Sequence, residues 1–171
     1  MSVAHIQQSI ETVIGFLREH PDECRYTDKA ATARMEEGLR CRATGPDGAT
    51  LVSDMPQAIG GGGAAPSPGW LLRAALATCD ATVISMRAAQ LGITLTSLEV
   101  TVDSESDDRG LLGLDDTIPA GPLSVRTRIR IGAKGAPPEQ LRQIVGWAEI
   151  HSPVADAIRR AVKMNVEVEI A

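Results

Sequence analysis

Apolar positions recur at helical spacing at the start of the chain, where Ile6, Ile10, Val13, Ile14 and Leu17 form one stripe. Ser2 can cap that helix and Pro21 stops it. From Lys29 to Asp54 the pattern shortens to strands. Leu39, Cys41 and Ala43 alternate with Arg40 and Arg42, which predicts a half-buried strand. Gly45-Pro46-Asp47-Gly48 is a turn by composition, and Ala49 to Ser53 reads as the returning strand. A glycine loop, Gly60 to Gly63, follows. Ser67-Pro68 then opens a long helix, because serine is a favoured cap and proline a favoured first helical residue. Leu71, Leu72, Leu76, Cys79, Val83 and Ile84, set among alanines, leave that helix apolar around most of its circumference as far as Gly92. Such a helix is expected in the middle of the fold. Arg73, Asp80 and Arg87, spaced by seven, form its one charged stripe.

Three alternating strands are predicted next. Leu98, Val100 and Val102 alternate with Glu99, Thr101 and Asp103. Leu123, Val125, Thr127, Ile129 and Ile131 alternate with Ser124, Arg126, Arg128 and Arg130. Val166, Val168 and Ile170 alternate with Glu167 and Glu169. The middle strand is basic on its polar face and the other two are acidic, so it is expected beside at least one of them. Its arginines are read as a solvated sheet face. A helix from Pro137 to Ile150 and another opened by Ser152-Pro153 lie between the last two strands, and Asp156 suits the positive end of the latter's dipole. Asp103 to Asp108 reads as an acidic loop without the spacing of a calcium site.

Composition narrows the function. The chain has 171 residues, 43% of them hydrophobic and 23% charged, which suits one well-buried globular core. A net charge of −5 and only four aromatic rings (Phe16, Tyr26, Trp70 and Trp147) argue against a nucleic-acid partner. No window holds the roughly 18 apolar residues of a membrane span, and the first helix carries too many polar residues for a signal peptide. A cytoplasmic protein is expected, with no membrane partner, in a reducing compartment where thiols stay free. Three cysteines exclude a four-cysteine zinc site within one chain. The glycine loop lacks the Lys and Ser/Thr of a phosphate-binding loop. No metal and no cofactor are expected. Cys79 is the most suggestive single residue: it is either a small buried hydrophobe or, with a nearby cation and some access, a reactive thiolate.

The run Asp54-Met55-Pro56, Gly60-Gly61, Pro66-Ser67-Pro68 and Leu71 to Cys79 resembles the OsmC/Ohr family of osmotically inducible and organic hydroperoxide resistance proteins. Met86 to Ala89, Gly92-Ile93 and Leu98 to Val102 continue the likeness, and Ser152-Pro153-Val154 is similar to the family's Cys-Pro-Val segment. The resemblance covers about Lys29 to Ala171. It implies an α+β, OsmC-like fold: a long central helix packed in curved antiparallel sheets, in an intertwined homodimer with its sites at the subunit interface. On this reading residues 1–25 are an N-terminal helical extension and 26–171 a single OsmC-like domain.

The resemblance also implies a chemistry. The helix cysteine, here Cys79, attacks a hydroperoxide and becomes a sulfenic acid. A second cysteine condenses with it to a disulfide that external dithiols reduce, and an arginine and a glutamate position and activate the first cysteine. The second cysteine falls on Ser152, and the glutamate's place, ten residues before Cys79, on Gly69. The arginine comes from the N-terminal strands, where Arg34, Arg40 and Arg42 can each supply it; Arg40 is assigned to the catalytic set with Cys79. Trp70, Trp147, His151 and Ser152 are assigned to binding, since both tryptophans border the expected site. The function expected is thiol-dependent reduction of a small hydrophobic hydroperoxide through Cys79, with an external thiol in place of the missing cysteine. The alternatives are a non-catalytic protein that binds a small apolar ligand in the same pocket, and different chemistry there through His151.

Overall fold

The structure is a computed structural model, and it describes residues 2–170. Helix α1 spans Val3–Glu19. The Ser2 hydroxyl accepts the His5 N–H at 3.2 Å, as a cap should. The apolar stripe of α1 is only partly covered: Ile6, Ile10 and Ile14 are half-buried, while Val13 and Leu17, with Phe16 beside them, are exposed. Strands β1 (Thr32–Glu37), β2 (Arg40–Thr44) and β3 (Thr50–Ser53) form an antiparallel sheet in that order. Met35 lies opposite Cys41, yet Glu37 lies opposite Arg40, so Glu36 is an extra residue in a β-bulge.

Helix α2 runs from Pro68 to Gln90. Ser67 caps it by accepting the Trp70 N–H at 3.3 Å. It ends two residues before Gly92, which takes a φ of +69° while its N–H and that of Ile93 bond back to Ala89 and Ala88. A left-handed glycine closes the helix without steric cost. Strands β4 (Leu95–Glu105) and β5 (Ser124–Ala133) pair with each other, so the basic strand does lie beside an acidic one. Ser124 meets Glu105, and Gly132 faces Ser97, so the two run antiparallel. Between them the acidic segment folds into a one-turn helix, α3 (Asp108–Leu111), capped by Asp107. Helices α4 (Pro138–His151) and α5 (Pro153–Arg159) complete the order.

The strand expected over Val166–Ile170 does not form. Those residues carry no regular structure, and Val166, Val168 and Ile170 are 80%, 80% and 92% exposed. Alternation makes a segment competent to pair, but a strand exists only where a neighbour supplies the ladder.

The chain divides into two compact units, and α1, α2, β4 and β5 each contribute to both. One comprises the described parts of Met1–Gln8, Leu76–Val102 and Arg126–Ala171. Its core is Val83, Ile84, Ala88, Ile144 and Ala148, with Leu98, Val100, Ile129 and Ile131 packed against it. Ile84 and Ile144 are almost wholly buried, and truncating either to alanine costs about 2–5 kcal/mol. The charged stripe expected along α2 is corrected here: Asp80 is only 7% exposed. Its Oδ1 has no hydrogen-bond partner among the described residues. The other unit, Ser9–Ala75 and Asp103–Val125, holds the three-stranded sheet and the glycine loop. No helix among the described residues is long and apolar enough to cross a membrane.

Candidate functional site

In the first unit, α2 presents Cys79 to the junction of α4 and α5. Ser152 ends α4 and caps α5. Its hydroxyl accepts the Ala155 N–H at 3.5 Å and donates to the Cys79 sulfur at 3.3 Å. Ser152 is 0% exposed, whereas Cys79 is half-buried and packs against the apolar core. An O–H donor aimed at a sulfur engages one of its lone pairs and ties the two side chains together. A buried hydroxyl with both its donor and its acceptor in use is also fixed in place.

Trp147 and His151 form a second pair beside the same junction. The imidazole stacks on the indole, with centroids 3.8 Å apart and an 8° angle between planes. His151 Nδ1 donates to the Trp147 carbonyl at 2.7 Å, which leaves Nε2 as its accepting nitrogen. The Arg87 guanidinium sits 4.7 Å from the centre of the Trp147 ring, on the same tryptophan. Trp147 thus packs against the core while also carrying an imidazole and a guanidinium on its ring.

In the second unit, Arg40 and Arg42 converge on one carboxylate. Arg40 Nε donates to Glu36 at 3.0 Å, and Arg42 Nε donates to its other oxygen at 2.5 Å. These donors hold the Glu36 carboxyl below its ordinary range, Arg42 first and Arg40 second. Arg34 lies opposite Arg42 in the register and is exposed. Glu36 was missed in the sequence because only the bulge turns it towards both arginines, and a bulge is invisible before the register is known.

Asp54 was likewise missed as a site-building residue. It is 2% exposed and accepts three backbone N–H groups: Met55 at 2.7 Å, Gly62 at 3.2 Å and Ala64 at 3.0 Å. They lower its carboxyl, the Ala64 N–H most of all, against the cost of burial. The glycine loop is thus wound around a carboxylate of its own chain rather than a phosphate. At Gly60 the wrapping needs a φ of +87°, and at Gly61 a Cβ would lie 1.9 Å from the Met55 carbonyl oxygen. Trp70, at the start of α2, is half exposed and lines a cavity with Arg73.

The structure therefore joins Cys79 to Ser152, and Trp147 to His151, while Arg40 and Trp70 belong to the other unit. All three cysteines are free, with Cys24 exposed and Cys41 half-buried. Among the described residues, no three His, Cys, Asp or Glu side chains converge as metal ligands.

This fold, with a half-buried cysteine on its central helix, is that of a known class. The family model described as OsmC-like protein matches residues 60–167, and the chain belongs to that family. Solved structures bear out the α+β, OsmC-like fold. An OsmC-like protein from Mycoplasma pneumoniae is 14% identical, with a TM-score of 0.66 over 80% of this chain and 91% of that one. An organic hydroperoxide resistance protein, OsmC, from Legionella pneumophila is 24% identical, with a TM-score of 0.57 over 80% and 92%. The organic hydroperoxide resistance protein OhrB of Bacillus subtilis is 22% identical, with a TM-score of 0.52 over 79% and 93%. No curated protein sequence matches the chain significantly.

Proposed function

We propose that the protein reduces organic hydroperoxides through Cys79 and an external thiol. The observation that carries this reading is the hydrogen bond from the fully buried Ser152 hydroxyl to the Cys79 sulfur. Ser152 stands where the family resemblance puts the second thiol, so the sulfur and its expected partner position are in direct contact. The Cys79 thiolate attacks the terminal oxygen of the hydroperoxide. The O–O bond breaks, the alcohol leaves with a proton, and Cys79 becomes a sulfenic acid. Ser152 cannot form a disulfide, so an external thiol condenses with the sulfenic acid and releases water. A second thiol equivalent then restores Cys79 and leaves as the external disulfide. The reading belongs to a reducing cytoplasm, which supplies those thiols.

A second copy of the chain completes the fold in this proposal. The exposed alternation at Val166, Val168 and Ile170, and the uncovered apolar residues of α1, support a homodimer. Arg40, held by Glu36, is proposed as the arginine that serves the site. Binding of an apolar ligand without catalysis is favoured by one observation: a cavity of about 500 Å³ lined by Ile129, Ile131, Leu141 and Val145.

The test is consumption of an organic hydroperoxide by the reduced protein with a dithiol, compared with Cys79→Ser. The expected result is turnover that falls to the uncatalysed background in the variant. Background rates in both proteins would end the peroxidase reading and leave the binding one.

A further inference from the structure

The second unit contains a cavity of about 520 Å³ whose walls include Pro56, Pro66, Trp70, Arg73 and Asp54. The two prolines and the half-exposed indole make one side of it apolar. Arg73 is half-buried there. Its Nη1 donates to the Ser104 hydroxyl at 3.2 Å, and no carboxylate among the described residues pairs with it. Asp54 also lines the cavity; both its oxygens accept backbone N–H groups of the glycine loop, and it makes no ion pair with Arg73. The Ser67 hydroxyl oxygen accepts the Trp70 N–H in the cap of α2.

A partly desolvated guanidinium with one neutral partner keeps donors in need of acceptors and a charge in need of compensation. Gly69 keeps one side of it open: a Cβ at that position would lie 3.9 Å from Arg73 Nη1, and nothing larger stands there.

We propose that this cavity binds an amphipathic carboxylate, with the carboxylate on the Arg73 fork and the hydrocarbon part across Trp70 and the prolines. The planar guanidinium presents paired N–H donors that match a carboxylate. The aromatic and proline surfaces take methylene groups. Gly69 is a specificity determinant, because a side chain there would compete for Arg73. The proposal does not rest on Cys79 chemistry, and its test reads no hydroperoxide turnover.

That test is calorimetric titration of the full chain with octanoate, and with 1-octanol as the uncharged control. Octanoate is expected to bind saturably. Arg73→Gln should weaken octanoate by about tenfold or more, with octanol changed by less than about twofold. Arg73→Lys, which keeps the charge and loses the fork, should fall between wild type and Arg73→Gln. Gly69→Glu places a carboxylate one turn before Arg73, where it can pair with it, and should weaken octanoate while sparing octanol. Absence of octanoate binding to the wild-type protein overturns the proposal. So does an equal effect of these variants on the acid and the alcohol.

Discussion

Ser67-Pro68 and Ser152-Pro153 are the same local instruction, and both start a helix. Each serine hydroxyl accepts the N–H three residues on, at 3.3 Å from Trp70 and 3.5 Å from Ala155. Their surroundings differ. Ser67 is half-buried, and its hydroxyl is used in the cap alone. Ser152 has no exposure, and the same hydroxyl also donates to Cys79. The better local cap, by distance, is thus the chemically quieter one. A capping serine becomes part of a site when tertiary packing brings a sulfur to its unused donor.

The regions around the two serines also use charge differently. Near Ser67 an anion, Asp54, is saturated by backbone donors of the glycine loop. At Ser152 a polarizable sulfur receives one neutral donor within an apolar setting. The first arrangement builds a rigid loop. The second ties α2 to the junction of α4 and α5.

The largest expected effect attacks the glycine loop on the Ser67 side. Gly61→Ala should destabilise the fold by about 2–4 kcal/mol, since its methyl group has to displace backbone. Denaturant unfolding measures this, and a loss under about 0.5 kcal/mol would mean the loop is not held around Asp54. Ser152→Ala comes next, at about 1–3 kcal/mol, because it removes a cap and leaves the half-buried Ala155 N–H without its acceptor. It should also slow alkylation of Cys79 by iodoacetamide at neutral pH several-fold. Unchanged alkylation would return Ser152 to a purely structural role. Ser152→Cys sharpens the same point: the short Oγ–Sγ contact predicts that hydroperoxide converts the two thiols to a disulfide, seen as a loss of two hydrogens in the intact mass.

Acid separates the two regions further. The carboxyl of Asp54 is held below its ordinary value of 3.8 in the folded protein. Its stabilisation is therefore complete above the unfolded-state value and is lost as pH falls through the lower folded one. The thermal midpoint should drop below about pH 4, and Asp54→Asn should show a smaller acid-dependent drop. Part of the slope should survive in that variant, because Arg109 holds Asp107 down at about 2. An acid response identical in wild type and Asp54→Asn would remove Asp54 from this account. The smallest effect is Ser67→Ala, about 0.5–1 kcal/mol, the cost of a half-buried cap with no further role. A loss matching that of Ser152→Ala would erase the contrast between the two serines.

Much of the fold was legible because its signals are local. The two Ser-Pro starts, the strand alternation around Cys41 and Val100, and the apolar wrap of α2 each need only a few adjacent residues to be read. The strand expected at Val166–Ile170 shows the limit of that reading, since its neighbour is not encoded in its own pattern. Of the site, Cys79 and Ser152 were legible as residues, but the bond between them was not, because 73 positions separate them. Glu36 needed a bulge to become an arginine ligand. Asp54 needed a loop to close over it, for which the glycines were a visible but unspecific signal.

The sequence by itself determined where most of the helices and strands begin, which faces are apolar, and that a cysteine at position 79 has a serine, not a second thiol, at position 152. Those follow from backbone sterics, capping and the period of hydrophobic positions, which act over a turn or a strand. Only the tertiary structure decided which polar groups meet: Ser152 with Cys79, Trp147 with His151, Glu36 with two arginines, and Arg73 with the Ser104 hydroxyl. Hydrogen bonds and charge pairs act over a few ångströms, so their partners are fixed only once packing has brought distant segments together.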